Sequence, residues 1–326
     1  MKHIRTGLFI SLILVAIAAT ACSTPAASTP ASTQASAPEA TVESTPESLP
    51  AAELTQTTGS GGETAWTYGC LGTAADAIKD MNCDEVTIAV ENAYLPFNYV
   101  DLKTSNAGGW DYDAWYQICT RLHCTPTFVE VGWEGMIQAV SDGQYDAAAD
   151  GITITDDRKE KVDFSIGYVN IEQRLLVRID ETRISKIEDI VADESLKLGT
   201  QTGTTNYEVA TKYLPESRIQ AFEQFPFAVQ ALLSGDIDAV IMDETAGQGY
   251  VGENADKLKL VGDSLSSDQL GFIFTKGSGM ADLVNQALKA MIDDGTLAEI
   301  NTKYFGAGFA VTYDDIAPIE YATQAP

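Results

Sequence analysis

From residue 86 to residue 304, short apolar runs alternate with segments whose apolar residues recur every three to four positions. Runs of the first kind predict buried strands, at 86–90, 127–131, 145–149, 196–200, 218–222, 258–261 and 271–275. Segments of the second kind predict helices at 113–122, 133–141, 207–213, 281–294 and 297–304, with a further helix ended by Gly235. Strands alternating with helices of these lengths predict an α/β fold.

One stretch of the pattern occurs twice. Ile137-Gln-Ala-Val-Ser-Asp-Gly-Gln-Tyr-Asp-Ala-Ala-Ala-Asp-Gly151 parallels Val229-Gln-Ala-Leu-Leu-Ser-Gly-Asp-Ile-Asp-Ala-Val-Ile-Met-Asp243, 92 residues later. Each is a helix closed by glycine (Gly143, Gly235) and followed by a short apolar strand. The shared Gly-x-x-Asp-Ala turn predicts two lobes built alike, with Gly151 and Asp243 at equivalent strand ends. Ligands of open α/β sheets sit beyond the carboxyl ends of strands. Gly151 and Asp243 therefore face one cleft from opposite sides. Alone, Asp243 reads as the cap of a loop before Gly247.

The residues after the first copy carry the chemistry. Thr153 and Thr155 alternate after Gly151, and Thr155 suits the N-cap of a helix whose first turn holds Asp156, Asp157 and Arg158. A cation in that turn opposes the helix dipole unless it has an anion to hold. Free N–H groups, threonine hydroxyls and a guanidinium fork together make a carboxylate clamp. The plainer reading pairs Arg158 with Asp156, Glu160 or solvent.

Upstream of the α/β pattern the chain is of another kind. Lys2 and Arg5 precede an apolar stretch at 8–19, and Ala19-Thr-Ala-Cys22 closes it. This reads as an export signal over residues 1–22. Its end resembles a bacterial lipobox, which implies lipid attachment at Cys22. Residues 23–63 are rich in Ser, Thr, Pro and Ala and predict a disordered tether. About 250 residues remain, enough for two compact lobes. The formal charge of −27 becomes −29 when Lys2 and Arg5 leave with the signal. So acidic a surface argues against nucleic acid and anionic lipid as partners.

Of five cysteines, Cys70, Cys83, Cys119 and Cys124 remain besides Cys22. In an exported chain they predict two disulfides; three pairings are open, and proximity favours Cys70–Cys83 and Cys119–Cys124. With His123 as the sole histidine after the signal, no metal site is expected, and no cofactor motif is present.

The ordered motifs resemble the extracytoplasmic solute-binding proteins of amino-acid ABC importers, bacterial family 3. The likeness rests on Tyr94-Leu-Pro-Phe97, Gly109-Trp-Asp-Tyr-Asp113, Trp133, the Gly151-Ile-Thr-Ile-Thr-Asp-Asp-Arg158 run ending in Asp163-Phe-Ser165, and Gly199-Thr-Gln-Thr-Gly-Thr-Thr205. Asp243, Asp294-Gly-Thr-Leu297 and Lys303-Tyr-Phe-Gly306 continue it. The resemblance implies a periplasmic-binding-protein-like clamshell (type II), two α/β lobes joined by a hinge of two crossings near 170–173 and 266–269. Lobe 1 is expected at 84–171 and 268–312 and lobe 2 at 172–267, with an N-terminal extension at 64–83 and a tail at 313–326. It further implies that Arg158, Thr153 and Thr205 (Thr204 if the loop register shifts by one) hold a ligand carboxylate. Asp243, the Gly151 carbonyl and the Thr153 hydroxyl hold its ammonium. Tyr94 and Trp133 flank its side chain, and Glu91, Gln201 and Asn206 reach toward the tip.

The implied function is a non-enzymatic receptor, monomeric and lipid-anchored outside the cytoplasm, that delivers an L-amino acid to ABC permease subunits. Glu91, the aromatic pair and the acidic surface favour arginine, lysine, ornithine or histidine, then glutamine. Two other classes compete. An exported dehydratase of the same fold would need a general acid such as Glu91 and has no use for an ammonium site. A sensory domain would be followed by a membrane or kinase segment.

Overall fold

The structure, a computed structural model, describes residues 53–58 and 64–306. The expected export signal with Cys22, most of the expected tether and the expected tail at 313–326 lie outside the described residues. No helix among those described is long and apolar enough to cross a membrane.

Two mixed sheets organise the chain. The first runs, edge to edge, Thr55–Thr58, Thr64–Thr67, Thr125–Glu130, Glu85–Val90, Ala147–Ala148, Ile273–Thr275, Val162–Phe164. Its centre is parallel and its outer strands antiparallel. The second runs Ile219–Phe222, Leu198–Gln201, Ala239–Asp243, Val169–Arg178, Leu258–Leu270, parallel across the first three and antiparallel beyond. Each has the strand–helix–strand units of an α/β lobe.

Two strands carry the chain between the sheets. Val169 to Gln173 pair residue by residue with Leu270 to Ser266, and a register shift follows between Gln173 and Leu175. Thr153 adds an isolated bridge to Leu270. The strand at 258–261 is therefore part of a thirteen-residue strand, Leu258–Leu270. Its polar stretch from Ser264 to Asp268 carries no apolar alternation because it runs half-exposed between the lobes. Ladder hydrogen bonds hold it rather than a buried face.

Helix Trp110–Leu122 packs under the first sheet. Trp110, Ala114, Trp115, Ile118 and Leu122 are all fully buried, the stripe that a 3.6-residue period places on one face. Tyr112 stacks on Phe128 at 4.0 Å and Trp115 lies 5.4 Å from Phe272. The helix begins three residues earlier than its apolar pattern predicts, after Gly109. Asp111 and Asp113 fall in its first turn, where acids suit the dipole. Helix Met136–Ser141 instead begins later than expected. Gly135 takes a left-handed φ of 92° at its N-cap and leaves Trp133 on the preceding turn.

Within the expected tether, the described stretch 53–58 contains a strand. Thr55–Thr58 pairs with Thr64–Thr67, and Trp66 in the second strand is 2 % exposed. A ladder to the strand that carries this buried indole holds Thr55–Thr58, whose own composition offers no core. Cys70–Cys83 and Cys119–Cys124 both form disulfides, the first within the segment before strand Glu85–Val90 and the second across the end of helix Trp110–Leu122.

Candidate functional site

The two copies of the repeated segment deliver their last residues to one cavity. Helix Met136–Ser141 ends near Gly143 (φ 74°), and helix Phe225–Ser234 ends at Gly235 (φ 83°). The strands that follow, Ala147–Ala148 and Ala239–Asp243, point their carboxyl ends at each other. All eleven residues expected to touch a ligand line this cavity: Glu91, Tyr94, Trp133, Gly151, Thr153, Arg158, Gln201, Thr204, Thr205, Asn206 and Asp243. Asp150 and Phe225 line it too.

Arg158 lies in helix Asp156–Lys159, where the Thr155 hydroxyl caps its backbone N–H at 3.2 Å. The helix is a single turn, so its dipole exerts little on the cation. Burial matters more. Arg158 is 9 % exposed, and desolvation pushes its pKa down, against the charges of Glu208, Asp243 and Asp268. Its Nη1 donates to the Thr153 carbonyl at 2.9 Å, and the guanidinium sits 5.3 Å from the Trp133 ring centroid. Among the described residues it forms no ion pair. The plainer pairing with Asp156 or Glu160 fails, since Lys159 takes Asp156.

Asp243 ends its strand just before helix Glu244–Glu253 and makes no capping bond there. The loop-cap reading is thereby corrected; Gly247 lies inside that helix, pressed against Leu260. The carboxylate instead accepts from Tyr94 Oη and, at 3.0 Å, from Asn206 Nδ2. Burial raises its pKa, and those two hydrogen bonds pull it back down. Asn206 thus holds Asp243 through its amide nitrogen while lining the cavity.

Thr204 and Thr205 divide their work. Thr204 caps helix Thr205–Tyr213 by accepting from Tyr207 N–H at 3.2 Å, and it donates to the Gln201 carbonyl at 2.7 Å. The Thr205 hydroxyl lies 3.2 Å from that of Thr153 on the other lobe and accepts from Gln173 Nε2 at 3.1 Å. Gln201 Nε2 donates to Glu91 across the cleft at 2.9 Å. The Phe225 ring stacks 5.8 Å from Tyr94. These contacts put the lobes in touch around the cavity.

Gly151 is needed for its size. Its φ is +56°, and a Cβ there would meet Tyr94 Cε1 at 2.6 Å.

Against known proteins, residues 86–307 match the model of the bacterial extracellular solute-binding proteins, family 3. The chain belongs to this family. Its members are extracytoplasmic. The L-cystine-binding protein TcyA of Bacillus subtilis (strain 168) is 30 % identical over 224 residues, which are 68 % of this chain and 81 % of that protein. An ancestral arginine-binding protein bound to glutamine is 31 % identical with a TM-score of 0.64, covering 68 % of this chain and 98 % of that one. An ancestral amino-acid-binding protein described as a precursor of cyclohexadienyl dehydratase is 32 % identical with a TM-score of 0.64, covering 69 % and 97 %.

Sequence reasoning missed Asp150 and Phe225. Phe225 opens helix Phe225–Ser234 and reads as core, which it also is. The one sequence signal for Asp150 is its place before Gly151, at the same carboxyl end of a strand, and its burial is not visible from there.

Proposed function

We propose that the chain is an extracytoplasmic receptor that binds a free L-amino acid between its lobes and delivers it to the membrane subunits of an ABC importer. In this reading it acts as a monomer tethered by lipid on Cys22. Arg158 holds the α-carboxylate with Thr153 and Thr205; Asp243, the Gly151 carbonyl and the Thr153 hydroxyl hold the α-ammonium. Tyr94, Trp133 and Phe225 cover the side chain, and Glu91 with Gln201 meets its tip.

One observation carries the reading. A buried cation and a buried carboxylate stand on opposite lobes of one cavity, and among the described residues they form no ion pair with each other. Each buried charge needs a partner of opposite sign. A zwitterion supplies both at once and bonds the lobes to each other. A ligand that contacts both lobes only in the closed form shifts a hinge toward closure. The paired strands at 169–173 and 266–270 serve as that hinge.

The acidic residues favour arginine, lysine, ornithine or histidine, with glutamine next. The names of the relatives, which include cystine, arginine and glutamine, fall within amino acids. The dehydratase alternative is disfavoured because Asp243, fixed by Tyr94 and Asn206, keeps an ammonium site that a cyclic acid lacking an amino group leaves unpaired. A thermal-shift screen of the twenty amino acids, ornithine and cystine tests the reading. A ligand at about 100 times its Kd stabilises by about 2.7 kcal/mol, a shift of several degrees. Absence of any shift would refute it.

A further inference from the structure

Asp150 has no role in the zwitterion site, yet it lines the same cavity and is 4 % exposed. Its Oδ1 is engaged by Asn98 Nδ2 at 2.7 Å and by the Glu91 backbone N–H at 3.4 Å. No donor among the described residues reaches its Oδ2. The same Asn98 amide donates to Asp111 at 2.9 Å, while its own oxygen accepts from Asn92 N–H at 2.7 Å. Asn98 is therefore a fixed clamp between two carboxyl groups, and it holds Asp150 against the cavity wall.

The charged and titratable surroundings are predominantly acidic. Glu91 follows the neighbouring strand Glu85–Val90, Asp111 stands behind in helix Trp110–Leu122, and Tyr168 lies below with a hydroxyl that finds no partner among the described residues. Across the cavity is Asp243, and Arg158 is the one cation in its lining. Once Arg158 and Asp243 are matched by an α-carboxylate and an α-ammonium, Asp150 has no counter-charge among the described residues.

We propose that Asp150 is a specificity-determining residue that, beside Glu91, takes a second positive charge on the ligand, and that it gives up a proton when such a ligand binds. This rests on the amino-acid reading above. Burial raises the Asp150 pKa to about 7, only partly offset by the Asn98 and Glu91 hydrogen bonds, and burial holds Asp111 far above the ordinary carboxylate range. Near pH 6 the free protein therefore keeps Asp150 mostly protonated. A guanidinium or ammonium at Oδ2 favours the carboxylate, lowers its pKa and expels the proton. Affinity for a dicationic ligand then rises with pH through the free-state pKa, and affinity for a neutral side chain does not.

The test is calorimetric titration of the wild type and Asp150→Asn with L-arginine, L-lysine and L-glutamine at pH 6 and 7.5. Buffers of different ionisation heat report the protons released. Arginine and lysine keep their side-chain charge throughout. The wild type should release close to one proton at pH 6 on binding arginine or lysine, and bind them roughly eightfold tighter at pH 7.5. Glutamine should show neither effect. In Asp150→Asn the proton release and pH dependence should vanish. Proton release is read on the wild type alone, so a poorly folded variant leaves the test intact. Preference for glutamine, or arginine binding without proton release, overturns the proposal while leaving the amino-acid receptor standing. Failure of every amino acid in the screen overturns both.

Discussion

Segments 137–151 and 229–243 build the same piece of chain twice and end it differently. At the lower end of each strand the two copies agree in atomic detail. Asp146 accepts from Thr87 N–H at 2.8 Å and Asp238 from Lys197 N–H at 2.9 Å, each fixing the start of the next parallel strand. At the upper end they diverge. One copy finishes in Gly151, whose missing side chain lets the Tyr94 ring lie against the backbone; the other finishes in Asp243, whose carboxylate receives the Tyr94 hydroxyl. A shared scaffold sets position, and the final residue sets chemistry. The part of the motif that the two copies share, Gly-x-x-Asp-Ala, is structural, and the part that differs is the site.

Substitution at each end separates these roles. Gly151→Ala should cause the larger effect on binding. A Cβ at φ +56° costs about 1–3 kcal/mol of backbone strain and also drives Tyr94 off Asp243. The expected loss is on the order of 10- to 100-fold in affinity, read by calorimetry, with the melting transition still cooperative. An affinity equal to wild type would show that Tyr94 is free to move and that the close approach is incidental. At the lower ends the effect should fall on stability alone. Asp238 also accepts from Arg183 at 2.6 Å and is less exposed than Asp146. Asp238→Ala should therefore cost about 2 kcal/mol and Asp146→Ala about 1 kcal/mol in urea unfolding, with ligand affinity unchanged. A fall in affinity in either variant would break the division between scaffold and site.

How much of this was readable in the chain follows the same division. The apolar periodicity located the helix at Ala281 to Asp294 within a residue, because its buried stripe of Val284, Ala287, Leu288 and Met291 is what a 3.6 period describes. It missed helices Ile187–Ala192 and Glu244–Glu253 and the length of the Leu258–Leu270 strand, none of which buries a clean stripe. The eleven site residues lie on five separated stretches, and the repeat with the family likeness drew them together before any coordinates did. Finer geometry stayed hidden. That Thr204 serves as a helix cap while Thr205 faces across, or that Asn206 serves Asp243, depends on side-chain directions at one helix start. Asp150 escaped because a carboxylate at a strand end is usually solvated, and only the surrounding burial makes it otherwise.

The central claim is that Arg158 exists to hold the ligand's carboxylate. It is tested most directly by titrating the wild type and Arg158→Ala with the best amino acid from the screen and with that amino acid's α-carboxamide. Removing either partner of a buried charge pair costs about 3–5 kcal/mol, roughly 100-fold or more in affinity. The wild type should lose that much for the carboxamide, and Arg158→Ala should lose as much for the free acid while discriminating little between the two. Equal affinity of the wild type for acid and carboxamide, or undiminished binding of the acid by Arg158→Ala, would contradict the account.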